Sequence, residues 1–224
     1  MNSLHKYLYR SFNSAICKLF PEINVNSLNL RFYLTGNNTF DICTPIAKQL
    51  YTKRDQSPVN FLAQRICDSI EWNSFYIQSV KPENITNGFI NLSISLQYLH
   101  NLLFCNHSAC NGSGLSQKIY TNDILNKISR VVDHSVSSYP INRHIDFQDF
   151  SSLLKHNERK LLVLLAYLEI PDSMPGRLYT IKKVMIELEE YYSTTPIITK
   201  DREQSSVRIH LLQKVVEEIT DHLH

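Results

Sequence analysis

Four potential metal ligands, His100, Cys105, His107 and Cys110, fall close together in the middle of the chain. Zinc takes imidazole and thiolate ligands, but its structural sites draw them from paired motifs such as C-x-x-C. The spacing here is not C-x-x-C, and no second pair of ligands stands at a conventional distance, so the pattern predicts a loop with incidental cysteines. No G-x-S-x-G, H-E-x-x-H or P-loop pattern occurs. Glu187, Glu189 and Glu190 lie beside Lys183 in a helical pattern, and Glu217 and Glu218 lie beside Lys214 in another. Solvated helix faces with i,i+4 pairs account for these carboxylates better than acid–base catalysis does. The expectation is a protein with no catalytic residues, no metal and no cofactor.

Bulk properties narrow the class. With 224 residues, 43% hydrophobic and 20% charged, the chain can build one large or two small domains around an ordinary core. Its net charge is +2, so the whole chain has no strong basic footprint. Residues 1–70 nevertheless carry 8 Lys/Arg against 4 Asp/Glu, whereas residues 151–224 carry 10 against 11. Five cysteines at irregular spacing do not form a disulfide framework. Cys17 and Cys67 fall in helical patterns and are expected as small core residues. The opening MNSLHKYLYRSFN has charges among its apolar residues, unlike a secretory signal, and no run of about 18 apolar residues appears. A soluble protein of the cytoplasm, or of an organellar stroma or matrix, with no membrane span is expected.

In the first half, Leu4, Leu8, Phe12, Ala15 and Leu19 share one helix face, which Pro21 ends. Residues 28–34 read as a strand. Thr44-Pro45 and Ser57-Pro58 each look like an N-cap followed by proline at the first helical position. The second of these helices has a stripe of Leu62, Ile66 and Ile70 with Ala63 beside it. Strands are expected over 74–80 and 88–95, joined by a turn at Lys81-Pro82. Trp72, the single tryptophan, is expected to pack in the core. These elements predict a small α/β domain over residues 1–95.

Residues 96–115 read as a helix and a Gly/Ser linker, and 116–224 as a helical domain. Ile119, Ile124, Ile128 and Val132 begin the helical domain, and three further helical patterns run from Asn157 to the C-terminus. In one, Leu178, Ile181, Met185, Leu188 and Tyr192 repeat at three- and four-residue steps; in the last, Val207, Leu211, Val215 and Ile219 do the same. Each stripe needs a partner, which predicts an antiparallel bundle. The fold class expected is therefore α+β.

Two segments resemble one family. FDICTPIAKQLYTKRDQSPVNFLAQRICDSI followed by NGFINLSIS resembles the N-terminal domain of arginyl-tRNA synthetases, through Asp41, Ala47, Leu50, Pro58, Ala63, Ile66, Gly88, Phe89, Ile90 and Asn91. The C-terminal stretch resembles the helical anticodon-binding (DALR) domain of the same enzymes. The matching pieces are Glu158–Leu162, Tyr179–Tyr192, Pro196-Ile197 and Arg208–Leu212. Those enzymes carry a nucleotide-binding domain between the two modules, with HIGH and KMSKS signatures. Only Leu96 to about Ser137 lies between them here, and neither signature occurs. A doubly wound domain needs more than roughly 100 residues, so no aminoacylation is expected.

What the resemblance implies is a non-catalytic tRNA-binding accessory protein. Its ligand would be an arginine-type tRNA, with a synthetase or a tRNA-modifying enzyme as a further partner. The N-terminal module of the family contacts the tRNA elbow, which by position implies Asn87, Phe89 and Asn91, with Lys48, Lys53 and Arg54 near phosphates. The helical module contacts the anticodon loop, which implies Arg177, Tyr179, Lys182, Lys183 and Arg208. The alternative is a protein–protein interaction module that keeps the fold and has lost RNA binding.

Overall fold

The computed structural model describes residues 3–35, 39–51, 58–104, 123–138, 145–170 and 174–223. Among them are helices α1 (Leu4–Leu19), α2 (Ile46–Tyr51), α3 (Val59–Asp68), α4 (Leu96–Phe104), α5 (Asp123–Ser138), α6 (Phe147–Leu153), α7 (His156–Leu168), α8 (Met174–Thr194) and α9 (Arg202–Leu223). Strands β1 (Tyr33–Leu34), β2 (Ile42–Thr44), β3 (Ile85–Thr86) and β4 (Phe89–Leu92) form one antiparallel sheet in the order β1-β2-β4-β3. The protein is α+β, as its periodicities predict. It divides into two compact units, Met1–Tyr98 with Glu169–Asp172, and Leu99–Leu168 with Ser173–His224. The greater part of the expected Gly/Ser linker, from Cys105 onward, lies outside the described residues.

In the first unit, α1 starts at Ser3, whose hydroxyl accepts from the Lys6 amide, and stops one residue before Phe20-Pro21. Its buried face is Leu4, Leu8, Phe12, Ala15 and Ile16. Cys17 lies on the opposite, exposed face, so its expected core role is wrong; Cys67 is buried. Leu62, Ala63 and Ile66 are buried, as the spacing of α3 requires, and Ile70, two residues beyond the end of that helix, is buried as well. Trp72 packs edge-on against Phe12, with its indole N–H donating to the Cys67 carbonyl at 3.1 Å.

The sheet departs from expectation in three ways. Residues 28–32 are not a strand; Leu28, Leu30 and Phe32 are buried from an irregular segment, held in part by Tyr9 Oη donating to the Leu30 carbonyl at 2.6 Å. Residues 74–80 contribute a single bridge, Ile77 to Ile94, rather than a strand. The expected cap Thr44 is the last residue of β2, where Ile42 and Thr44 face inward opposite Leu92 and Ile90, and the expected helix follows Pro45 as α2 from Ile46. Thr44 therefore caps nothing, and its hydroxyl, fully buried, has no hydrogen-bond partner.

In the second unit, α7 is buried continuously from Leu161 to Leu168, and α9 buries Val207, Leu211, Val215 and Ile219 as expected, with Ile209, Leu212 and Val216 besides. Helices apolar on most sides belong at the centre of a bundle. Tyr191 near the end of α8 bonds Glu158 at the start of α7, so these two helices run antiparallel. Asp201 Oδ1 accepts from the Glu203 and Gln204 amides and starts α9.

Two consequences can be measured. A buried hydroxyl without a partner carries its desolvation penalty uncompensated, so Thr44→Val is expected to raise the unfolding free energy by about 1 kcal/mol in urea titrations. Burial, with Asp68 adding, pushes the Cys67 thiol up to about 12. The folded chain thus favours the neutral thiol, a contribution complete below the unfolded value of about 8.5 and lost as pH rises toward the folded one. Burial of Tyr98 and Tyr191 raises both phenols and acts in the same direction. Urea titrations between about pH 8 and pH 10 should show stability falling with pH, less steeply in Cys67→Ala.

Candidate nucleic-acid interface

The first cluster of expected contact residues gathers on the β3–β4 hairpin. Asn87 and Gly88 have φ of 51° and 75°, the left-handed pair of a two-residue type I′ turn. The Asn-Gly dipeptide between two short β-patterns was the available signal for it; the turn expected at Lys81-Pro82 is instead a short 3-10 turn ahead of β3. Gly88 N donates to Asn60 Oδ1 at 2.7 Å. A Cβ there would lie 2.5 Å from Val59 Cγ2 and 3.1 Å from Lys48 Cγ, so the turn sits directly on α2 and α3. Lys48 Nζ stands 4.0 Å from the centre of the Phe89 ring, a cation–π contact. Asn87 is exposed and Phe89 half-buried, so the hairpin presents one amide and one partly shielded ring.

Asn91 does not belong to this surface. It is buried, and its amide donates to the Asn84 carbonyl at 2.8 Å and to Thr86 Oγ1 at 2.8 Å, while Asn84 returns a bond to the Asn91 carbonyl. The expectation that Asn91 contacts a base is corrected on that ground: its donors fix the strand register. Lys53 and Arg54 lie outside the described residues.

The second cluster lies on α8. Here the buried stripe is Ile181, Val184, Leu188 and Tyr191, about one position away from the expected one. The shift turns Leu178 outward, 54% exposed, and leaves Met185 and Tyr192 half-buried. Both stripes have helical spacing; Tyr191 belongs to the buried one because its hydroxyl reaches the Glu158 carboxylate at 3.2 Å. The rotation leaves Tyr179 and Lys182 on the solvent side, with Tyr179 63% exposed and Lys183 half-buried beside them, whereas Arg177, also exposed, stands about 200° around the helix from Tyr179. An accessible phenol ring with cations three and four residues further along the same helix can stack on an unpaired base while the cations meet phosphates.

Arg208 is the other correction. Its Nε donates to Glu158 Oε1 at 3.1 Å and its Nη1 to the Pro196 carbonyl at 2.6 Å. The Glu158 residue is 1% exposed, so the guanidinium serves as the counter-charge of a buried carboxylate. Arg208 lies in the second turn of α9, and no local sequence pattern pairs it with Glu158. An open cleft of about 330 Å³ borders it, lined by Lys155, His156, Asn157, Glu158, Thr194, Thr195, Pro196 and Arg208.

The metal-like cluster of the sequence is only partly placed. His100 Nε2 donates to the Ile145 carbonyl at 2.8 Å, and its ring packs against Phe104 and Phe150. Cys105, His107 and Cys110 lie outside the described residues. Among the described residues, no group of three or more metal-ligating side chains converges, and no helix is long and apolar enough to cross a membrane.

No family model, curated protein or solved structure matches the chain. The geometry of its own side chains therefore carries the functional argument.

Removing one member of a buried ion pair leaves the other uncompensated. Glu158→Ala is expected to destabilise the protein by roughly 3–5 kcal/mol in urea titrations. Glu158→Leu combined with Arg208→Met should recover most of that loss, since apolar replacement of both partners removes the desolvation penalty as well.

Proposed function

We propose that the chain is a non-catalytic, tRNA-binding accessory protein of the cytoplasm or an organelle, related to arginyl-tRNA synthetases. The observation that carries this reading is Tyr179, exposed on α8 with Lys182 and Lys183 three and four residues on along the helix. Single-stranded RNA is held by such a combination, because every base has a face to stack and every nucleotide a phosphate to pair. The hairpin residues Asn87, Phe89 and Lys48 form a second contact surface in this reading. The resemblance of both segments to the synthetase modules supports an arginine-type tRNA as the ligand. A synthetase or a tRNA-modifying enzyme would be the recipient.

The neighbours of Tyr179 favour one other reading, a protein-interaction module. Leu178 and Ile186 are 54% and 55% exposed on the same helix, and apolar side chains there suit a protein surface better than a phosphate backbone.

Filter binding with total tRNA over a salt series separates the two. RNA binding predicts affinity that falls with salt. Tyr179→Ala should weaken it by roughly 5- to 150-fold, the equivalent of one lost base stack. Lys182→Ala should flatten the salt dependence, with the phosphate slope reduced by about 0.7 per contact. Binding unmoved by both substitutions and by salt would remove the RNA reading in favour of the protein partner.

A further inference from the structure

The chain contains three Ser/Thr-Pro dipeptides, Thr44-Pro45, Ser57-Pro58 and Thr195-Pro196. Thr44 is fully buried inside the sheet and out of an enzyme's reach. Ser57 lies outside the described residues. Thr195 is the one whose surroundings show a chemical purpose. It immediately follows α8 and opens the irregular link to α9, in which Pro196, Ile198, Lys200 and Asp201 are exposed. Its amide donates to the Tyr191 carbonyl at 2.9 Å, and its hydroxyl makes no hydrogen bond to any described residue.

The cleft that Thr195 lines also holds Arg208, Lys155 and His156. Arg208 is anchored one residue away, by its Nη1 bond to the Pro196 carbonyl. Its Nε faces Glu158, with the Tyr191 hydroxyl also interacting with the guanidinium. Lys155 and His156 are exposed on the opposite wall, and Lys155 Nζ makes only a long 3.4 Å contact with the Ser152 carbonyl. Glu158 is the one carboxylate on the lining, and its Oε1 already accepts from Arg208 and Tyr191. A cationic cleft, held in place by a buried ion pair, thus stands beside an unengaged hydroxyl followed by proline.

We propose that Thr195 is a phosphorylation site for a proline-directed protein kinase, and that its phosphate docks on Arg208 and Lys155 across the cleft. The kinase transfers the γ-phosphoryl group of ATP: the Thr195 Oγ1–P bond forms, the bond from Pγ to the bridging oxygen breaks, and ADP leaves with that oxygen. The hydroxyl proton passes to the kinase's base. The product carries about two negative charges and three acceptor oxygens, which suit a guanidinium and an ammonium already in place. Docking ties the α8–α9 link to the start of α7. The proposal does not depend on RNA binding.

The test incubates the full-length protein with a proline-directed serine/threonine kinase and MgATP, then maps phosphate by mass spectrometry. Phosphate is expected on Thr195 and absent from that peptide in Thr195→Ala. Amide exchange across residues 195–201 should slow severalfold in the phosphorylated protein. Lys155→Ala with His156→Ala, both exposed and remote from the core, should abolish most of that slowing while leaving phosphorylation intact. Thr195 remaining unmodified in the folded chain would overturn the site. Phosphate on Thr195 with exchange unchanged or faster, or slowing that persists fully in the double variant, would overturn the docking.

Discussion

Glu158 places a carboxylate where almost no water reaches it, and the arrangement of the second unit follows from what must answer that charge. Arg208 in the second turn of α9 answers with its guanidinium at 3.1 Å, and Tyr191 near the end of α8 with its hydroxyl at 3.2 Å. Three helices are thereby pinned at one level, through the start of α7, the end of α8 and the second turn of α9. Apolar packing alone would tolerate slippage by a turn, because α7 is buried on all sides from Leu161 to Leu168 and offers many equivalent stripes. A single buried ion pair has one partner geometry, so it specifies register more than it adds stability. The same constraint withdraws Arg208 from any role as a freely mobile phosphate contact.

The first unit solves a similar problem with neutral groups. Its sheet is too small to hold its own alignment by ladder bonds, since β1 and β3 contribute two residues each. The reciprocal bonds between Asn84 and Asn91 lock β4 to the segment before β3, and Asp41 Oδ2 accepts from the Ile94 amide at 2.7 Å where the regular pairing ends. With those groups engaged inside, what the sheet offers to solvent includes Tyr33 of β1, Thr86 of β3 and Asn87 of the turn. The two candidate surfaces therefore share a logic: polar side chains that hold the scaffold are hidden, and those that remain outside are few.

Helices with a single amphipathic face were legible in the sequence. The faces of α1, α3 and α9 fall where their spacing puts them, and so does the α+β class. Strands were harder, because β2 lies in a tract whose Thr-Pro also reads as a helix start, and 28–32 bury alternate apolar residues without pairing. For α8, two stripes one position apart had equal periodicity, and only the long-range bond from Tyr191 to Glu158 decides between them. That bond is also why Tyr179 faces solvent while Arg208 does not, a distinction no local pattern carries. Asn91 was misjudged for the same kind of reason: a strand asparagine looks alike in sequence whether its amide points to a ligand or to Asn84.

Glu169 has a consequence for the order in which the protein takes shape during synthesis. Its Oε2 accepts from the Leu4 amide at 3.0 Å and from the Tyr98 hydroxyl at 2.7 Å, so it supplies a carboxylate to the first turn of α1 from 165 residues away. The segment Glu169–Asp172 belongs to the first unit although the chain builds all of α5, α6 and α7 before reaching it. The first unit is discontinuous along the chain, and the Glu169 bonds to Leu4 and Tyr98 can form only once α5, α6 and α7 have been synthesised.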